Sequence, residues 1–293
     1  MPNNVMQTTG GMMLQMRLAA SLISVLLALF FCSDVQAQTR KTYTLAVIPQ
    51  VPPVEVHKRW GPFVELLSKE LNCDIKLVTY GTIPQFEVDV MAGNPDFSFM
   101  NPYQAVMAKR KQGYRPLVKD KADVYGYIVA NSKSERINSI KDLQHQEIGF
   151  PAPNALFASL YLRQLLTEKE KIHFIPRYLK THANVYRNVV QGTVLAGGAA
   201  SSTLGAEPQS LKEHLKIIYR TPPLTSHPIA AHPRIPKSFG DTFTQTIIRL
   251  SKNSKYKDMF AAILMKEPVS TTYTRDFLPL EKLGLEKYWG TGE

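Results

Sequence analysis

The chain has 293 residues, of which 44% are hydrophobic and 20% are charged, and its formal net charge at pH 7 is +11. This length and hydrophobic content are sufficient for a sizeable core in one or two domains. The basic balance is consistent with anionic ligands or with an ordinary solvated surface. It is not arranged in basic runs interleaved with aromatic residues, the pattern typical of nucleic-acid-binding proteins. We therefore expect no nucleic-acid partner.

Residues 1–37 are predicted to be a cleavable secretory signal peptide. An apolar run without charged residues extends from position 18 to Cys32, and it is too short to span a membrane comfortably. A lipoprotein signal ending at Cys32 is the alternative, but Phe31 is bulky where such sites need a small residue. Cleavage after residue 37 would leave Cys73 as the single cysteine, which excludes an intramolecular disulfide. We therefore expect a bacterial periplasmic location.

Strand and helix patterns then alternate in the order β-α-β-α-β-α. Alternating apolar residues predict strands, and apolar residues at helical spacing predict helices. The predicted strands are residues 42–48, 74–80 and 96–100, and the predicted helices are one led by Gly61 and Pro62, one at residues 86–92, and one starting at Pro102. Because parallel sheets bind ligands at the carboxyl ends of their strands, the loop at residues 49–53 and Asn101 should lie near a ligand.

Three predicted helix N-termini are the most informative feature of the chain. In residues 147–166 a short strand ends at two prolines and a helix follows, with Asn154 or Ala152 as its N-cap. Asn101 is the predicted N-cap of an earlier helix, and Thr181 opens a later one. Helix N-termini present free N–H groups and a positive dipole end, which bind phosphate-like anions. Spacing does not show that the three termini converge, and ordinary buried strand–helix units are the alternative interpretation.

The remaining segments continue the same alternation. Between Asp123 and Tyr219, the sequence predicts a strand at 123–130, a short capped helix at 139–143, a helix that stops at Gly192, and a strand at 216–219. Residues 226–236 are rich in proline and histidine and are predicted to be a loop. Helices are predicted at residues 240–251, 256–265 and 280–288. We place a boundary between two structural lobes near Ala130.

The order of these pieces resembles a known family, the phosphate/phosphite/phosphonate-binding periplasmic proteins of ABC transporters, which have the type 2 solute-binding fold. The resemblance spans about residues 42–289. It is carried by V-I-P-Q-V-P-P, W-G-P-F-V-E-L-L-S-K-E-L, M-A-G-N-P-D-F-S-F-M-N-P-Y-Q-A-V-M-A, S-I-K-D-L-Q-H-Q-E-I-G-F, T-H-A-N-V-Y-R-N-V-V-Q-G and I-I-Y-R-T-P-P-L. No single string is decisive, but their order and spacing together are specific.

The resemblance implies an α/β fold with two lobes, each a mostly parallel sheet flanked by helices, and a ligand cleft between them. Residues 38–130 would form the first part of lobe 1, residues 131–220 lobe 2, and residues 221–293 the return to lobe 1 with the C-terminal helices. Closing of the lobes would bury the ligand. The implied partners are a small oxyanion and an ABC transporter permease in the inner membrane, and the protein is expected to be a monomer without a cofactor or metal.

The resemblance also implies which residues bind the ligand. Tyr103 falls on the family's lobe 1 tyrosine, His182 on its lobe 2 histidine, and residues 151–154, with Pro153 and Asn154, on its anion loop. Further candidates are Asn101, Ala155 and, at the first crossing between lobes, Tyr125. Each has a structural alternative, since a tyrosine can be a core aromatic and a histidine can cap a helix.

The anion loop departs from the family pattern. Phosphonate binders in this family usually carry a Ser-Thr-Ser type sequence there, whereas this chain has Pro-Ala-Pro-Asn-Ala. Each hydrogen bond to a charged ligand contributes roughly 1.5–3 kcal/mol, so the loss of two or three hydroxyl donors should change the preferred ligand or weaken its binding. A tyrosine that the family has between Gly81 and Pro84 is also missing.

The leading hypothesis is a periplasmic solute-binding protein that captures a phosphonate-, phosphite- or phosphate-like oxyanion for an ABC transporter. The alternative is a sensory or interaction protein with the same fold that acts on a membrane signalling partner. An exported hydrolase or metalloenzyme is disfavoured, because the chain contains neither H-E-x-x-H nor G-x-S-x-G. His227 and His232 lie five residues apart near prolines and are interpreted as surface or packing residues.

Overall fold

The computed structural model describes residues 40–290; the predicted signal peptide, residues 1–37, lies outside them. The strands are β1 (Thr42–Val47), β2 (Asp74–Val78), β3 (Phe97–Phe99), β4 (Arg115–Asp120), β5 (Gly126–Asn131), β6 (Glu147–Phe150), β7 (Ile175–Tyr178), β8 (Ala196–Ala200), β9 (Leu215–Arg220), β10 (Pro228–Ala231) and β11 (Pro268–Ser270). The α-helices are α1 (Pro53–Glu70), α2 (Ile83–Met91), α3 (Pro102–Gln112), α4 (Tyr161–Gln164), α5 (His182–Gln191), α6 (Ser201–Gly205), α7 (Gln209–Lys212), α8 (Lys237–Ser251) and α9 (Lys257–Ala262).

Two mixed sheets form the centres of two lobes. The first lobe has the strand order β11-β4-β10-β3-β1-β2 and the second has the order β7-β6-β8-β5-β9. Both sheets belong to one compact unit of the chain, Lys41–Glu293. In each sheet, the strand that arrives from the other lobe runs antiparallel to its neighbours: β5 against β8 and β9, and β10 against β3 and β4. The predicted two-lobe α/β architecture is confirmed, but the sheets are mixed rather than mostly parallel, because of these arriving strands and because β11 runs antiparallel to β4.

The chain crosses between the lobes twice, after β4 and after β9. The two crossings pair with each other, because Val124 and Leu224 exchange backbone hydrogen bonds of 2.9 and 3.0 Å. The lobe boundary expected near Ala130 differs from the observed first crossing, since β5 already pairs within the second sheet from Gly126 onward. A strand pattern alone does not show which sheet a strand joins.

Helix α1 begins earlier than predicted. It starts at Pro53, and Pro62, the predicted start, lies inside it. The upstream turns are held by burial, because Val56 and Trp60 are both in the core and the Trp60 ring lies 4.7 Å from the Phe99 ring. Packing against the sheet therefore compensates for the backbone hydrogen bond that proline cannot donate.

The helix after β6 is irregular. A π-helical turn, Leu156–Leu160, precedes α4, and a second one, Leu165–Lys169, follows it. Its N-cap residue is Ala155 without a side-chain cap, so the predicted cap at Asn154 or Ala152 is wrong. Instead, the Asn154 side chain bonds to more distant residues, as described below.

The C-terminal segment also differs from its prediction. Residues 280–288, predicted to be one helix, form two 3-10 turns, Leu278–Leu283 and Leu285–Tyr288. Gly284 between them has a positive φ of 65°, which is incompatible with a continuing right-handed helix. Cys73 is buried in the core of the first lobe.

Candidate ligand cleft

A cleft lies between the lobes, at the carboxyl ends of β1, β3, β6 and β8. One part of this cleft, which we call the inner cavity, is lined by Ile48, Gln50, Asn101, Ala155, Leu156, Phe157, His182, Ala200 and His227. The inner cavity has a volume of about 10 Å³, enough for about one water molecule. Among the residues that the structure describes, no lysine, arginine, aspartate or glutamate lines it.

A larger space, the outer cleft, adjoins the inner cavity at His227 and has a volume of about 490 Å³. It is lined by Arg59, Asp120, Ala122, Asp123, Val124, Ser201, Ser202, Gly205, Ala206, Ser226, His227, Ala261, Ala262, Leu264 and Lys266. These residues come from both lobes and from both crossings. The outer cleft therefore provides the charged and hydroxyl side chains that the inner cavity lacks.

Two buried histidines meet at the inner cavity. His182 is the first residue of α5, and His227 lies in the second crossing; they are 5% and 7% exposed. Burial lowers the pKa of His182 to about 4, and burial together with the proximity of His182 lowers the pKa of His227 to about 3. Both imidazoles are therefore neutral at neutral pH.

The hydrogen bonds of each histidine orient its ring. The Thr203 hydroxyl lies 3.3 Å from Nδ1 of His182 and 2.6 Å from the hydroxyl of Tyr186. Nε2 of Gln50 lies 3.2 Å from Nε2 of His227. Because an amide nitrogen only donates, His227 accepts at Nε2, and its neutral ring carries the proton on Nδ1. The His227 ring also stacks on Phe99, with 5.4 Å between the centroids.

Asn101 and Asn154 use their side chains to join the lobes. Nδ2 of Asn101 donates to the Asn154 carbonyl oxygen (2.9 Å), while Oδ1 of Asn101 accepts the Gln104 N–H (2.8 Å) as a helix cap. Nδ2 of Asn154 donates to Glu87 (2.9 Å), and Oδ1 of Asn154 accepts the Gly290 N–H (2.9 Å). Nε2 of Gln104 donates to the other Glu87 oxygen (2.7 Å). We call Glu87, Asn101, Gln104 and Asn154 the interlobe network, and its amides are engaged within the protein.

The anion loop, residues 151–154, is supported by a buried arginine. Nη2 of Arg163 donates to the Pro153 carbonyl (3.0 Å) and to the Tyr288 carbonyl (2.8 Å). On the other side, Arg110 of α3 pairs with Glu286 at 3.0 Å. The C-terminal turns therefore contact both lobes and hold the anion loop in place.

The structure brings together some of the sequence-predicted residues and separates others. Asn101, Ala155 and His182 line the inner cavity, and Asn154 lies one hydrogen bond away from it. The ring of Tyr103 packs against Trp289, 5.6 Å between centroids, and burial and the Glu286 carboxylate raise the pKa of its hydroxyl. Tyr103 is absent from the lining of both described cavities.

Tyr125 and Pro153 also lie outside both linings. The guanidinium of Arg220 covers the Tyr125 ring at 3.6 Å from its centroid, and the backbone N–H of Tyr125 donates to the Ser201 hydroxyl at 3.0 Å. Pro153 contributes its carbonyl to Arg163. Both residues therefore support the cleft from outside the described linings.

Sequence reasoning missed Gln50 and His227. Gln50 belongs to the loop after β1, which was expected to face a ligand, but its side chain was not singled out. His227 is buried and its ring packs on Phe99, so its interpretation as a packing residue is confirmed and that as a surface residue is wrong. Its place in the lining of both cavities was not predicted. A signal was available, because His227 follows the prolines that break the chain after β9, where the family layout has a crossing.

Comparison with known proteins agrees with this arrangement. A family model described as "ABC transporter, phosphonate, periplasmic substrate-binding protein" matches residues 45–275. The chain belongs to this family. Its members are described as periplasmic substrate-binding proteins of ABC transporters, so the predicted family is confirmed; the signalling alternative is not favoured.

Individual relatives are distant in sequence and close in fold. The "Phosphate-import protein PhnD" of Mycolicibacterium smegmatis is 23% identical over 171 residues, 56% of this chain and 51% of that protein, so the chain spans about half the length of this relative. A binding protein component of an ABC phosphonate transporter from Pseudomonas aeruginosa has a TM-score of 0.75 at 13% identity, covering 83% of this chain and 85% of that one. PhnD1 from Prochlorococcus marinus in complex with methylphosphonate has a TM-score of 0.73 at 16% identity, covering 83% and 97%.

Two features are absent from residues 40–290. Within them, no group of three or more histidine, cysteine, aspartate or glutamate side chains could hold a metal ion. No helix in this part of the chain is both long and apolar enough to cross a membrane.

Proposed function

We propose that the protein captures a small phosphonate-like oxyanion where the inner cavity meets the outer cleft and delivers it to an ABC permease in the inner membrane. The observation that carries this proposal is the convergence of Gln50, His182 and His227 on one cavity between two lobes. Two lobes that meet over a small polar site are the arrangement of a hinged clamp. The relatives support the class of ligand, since one is named for phosphate import and another is in complex with methylphosphonate.

The binding groups proposed here lie outside the anion loop, residues 151–154, that the family resemblance implied. Nδ2 of Asn101 and Nδ2 of Asn154 each donate one hydrogen bond within the interlobe network, so we assign these side chains to positioning the lobes rather than to binding the ligand. We assign ligand binding to Gln50, His182 and His227, with Ser201 and the other hydroxyl residues of the outer cleft around the rest of the ligand. Because the inner cavity has room for only about one water molecule, the lobes must separate before an oxyanion enters.

The proposal is tested by calorimetric titration of residues 38–293 with phosphate, phosphite, methylphosphonate, 2-aminoethylphosphonate and sulfate. The double variant H182A/Q50A should bind the preferred anion at least tenfold more weakly. Each hydrogen bond to a charged ligand contributes roughly 1.5–3 kcal/mol, and about 1.4 kcal/mol corresponds to a factor of ten. A thermal-shift screen provides the first ranking, since ligand at about 100 times its Kd adds roughly 2.7 kcal/mol to stability.

The matched control is His173→Gln. His173 is exposed and precedes β7, at the opposite end of its sheet from the cleft. It should bind the anion as the native protein does. Binding by the double variant that equals native binding, or a folded native protein that binds none of the anions, would contradict the proposal.

Export of the protein through residues 1–37 is part of the same proposal. N-terminal sequencing of the protein recovered from a periplasmic extract should begin at Gln38. Recovery from the membrane fraction with a lipid on Cys32 would instead favour the lipoprotein alternative. A size measurement of the exported protein in solution should show a monomer.

A further inference from the structure

The inner cavity contains two imidazoles and no fixed charge. His182 comes from the second lobe and His227 from the second crossing, and among the described residues neither a cationic nor an anionic side chain lines this cavity. An oxyanion that reaches it therefore meets neutral donors alone. The cationic side chains Arg59 and Lys266 line the outer cleft, so the part of a ligand inside the inner cavity has no cationic side chain beside it there, and a charge buried without a partner is costly.

We propose that the oxyanion binds together with a proton, which the His182–His227 pair takes up from solvent, so that binding tightens as pH falls. This inference rests on the proposed function of the same cleft. A negative charge within about 4–6 Å of an imidazole favours its protonated form. In the absence of ligand, burial of both rings keeps them neutral, so the proton arrives with the anion rather than before it.

The pair takes up one proton rather than two. The proximity of His182 already lowers the pKa of His227, so two imidazolium ions would repel each other in the same cavity. Because both rings line the same small cavity, the pair holds a single proton at intermediate pH. The single positive charge would offset one negative charge of the ligand.

The charged groups around the pair lie in the adjoining cavities. A small neighbouring cavity contains His182 with Arg59 of α1 and with Glu207, and the outer cleft contains His227 with Arg59, Asp120, Asp123 and Lys266. The Asp120 carboxylate already accepts the N–H groups of Ala122 and Glu267, both at 2.9 Å. Cationic and anionic side chains thus lie on both sides of the histidine pair. Their charges are present with and without ligand, so the charge that binding adds is that of the oxyanion.

Gln50 positions the His227 ring for this proton uptake. Its amide nitrogen donates to Nε2 of neutral His227 at 3.2 Å. A protonated His227 donates at both ring nitrogens, so Gln50 would have to turn its carbonyl oxygen toward the ring. Gln50 therefore favours neutral His227 in the empty state, and its rotation accompanies proton uptake there.

The test is calorimetric titration with methylphosphonate at pH 7 in two buffers that differ in ionisation enthalpy. The difference in heat between the buffers gives the number of protons taken up. Methylphosphonate itself titrates, so the protein's contribution is the difference between native protein and the variants H227Q and H182Q/H227Q. We expect native protein to take up close to one proton more than H182Q/H227Q. Its binding constant should fall up to tenfold per pH unit above neutrality, relative to that variant.

A second measurement does not depend on whether the variants fold. In native protein with ¹⁵N-labelled histidine, the ring nitrogen shifts of His182 and His227 at pH 6 should report neutral rings without ligand and one imidazolium with methylphosphonate. Binding with equal proton uptake in native and variant proteins, or neutral rings in the complex, would overturn this inference and leave the proposed function intact. The absence of methylphosphonate binding at every pH would overturn this inference, and failure of the other oxyanions as well would overturn the proposed function.

Discussion

Replacement of Glu87 by alanine should destabilise the protein by about 2–6 kcal/mol, because two buried donors would lose their partner and each costs roughly 1–3 kcal/mol. The Glu87 carboxylate accepts one hydrogen bond from Gln104 in its own lobe and one from Asn154 in the other. Both amides would lose their partner in E87A. Urea unfolding of residues 38–293 without ligand measures the difference in the free energy of unfolding.

The control for this substitution is Glu65→Ala. Glu65 is exposed on α1, and loss of its charge should change the free energy of unfolding by no more than about 0.5 kcal/mol. Because Asn154 lies in the second lobe, E87A should also favour the open arrangement, seen as a larger radius of gyration in small-angle scattering. Equal stability of E87A and E65A would show that the interlobe network does not hold the lobes together.

The loss of stability in E87A should depend on pH. Burial raises the pKa of Glu87 above its usual 4.5, while the Gln104 and Asn154 amides act in the opposite direction. Because the folded state then binds the proton more tightly than the unfolded state, the contribution of this carboxyl to stability is greatest below about pH 4.5 and falls as pH rises through the raised pKa. The stability difference between native protein and E87A should therefore shrink from acid to neutral pH.

Gly198→Ala should lower the free energy of unfolding by about 3 kcal/mol or more, an effect comparable to that of E87A. This is the upper end of what overpacking costs in protein cores. A Cβ at position 198 would lie 1.9 Å from the carbonyl oxygen of Ala158 and 2.7 Å from the Phe150 ring. Neither neighbour can move freely. The Ala158 carbonyl belongs to the backbone of the π-helical turn Leu156–Leu160, and the Phe150 side chain is fully buried. For a domain of this size, about 3 kcal/mol corresponds to a fall in Tm of roughly 6–12 °C.

The same substitution should weaken ligand binding. The displaced turn carries Leu156 and Phe157, which line the inner cavity next to His182 and His227. The matched control is Gly61→Ala in α1, where no atom lies within 4 Å of the added Cβ. Alanine is the better helix former by about 0.8–1.0 kcal/mol, so G61A should be neutral or slightly stabilising. Thermal unfolding and a methylphosphonate titration of both variants check the prediction, and a native-like G198A would contradict the packing described for this turn.

The sequence by itself determined some of the helix ends. Asn101 caps α3 through a capping box with Gln104, Thr181 caps α5, and Gly192 ends it, all as predicted. These features depend on residues within four positions of one another, so their physics is visible in a short window of sequence. The order of such units was also sufficient to indicate the two-lobe fold and the family.

Only the tertiary structure decided how the cleft is built. Asn154 has the sequence of a helix cap but bonds to Glu87, 67 positions away, and Gln50 meets His227 across 177 positions. Neither pairing has a signature in the local sequence, because each arises when the lobes and crossings bring distant segments together. A polar side chain makes whichever buried hydrogen bonds the folded chain offers it, since leaving them unmade is costly. For that reason only the tertiary structure distinguished the side chain that joins the lobes, Asn154, from a local helix cap.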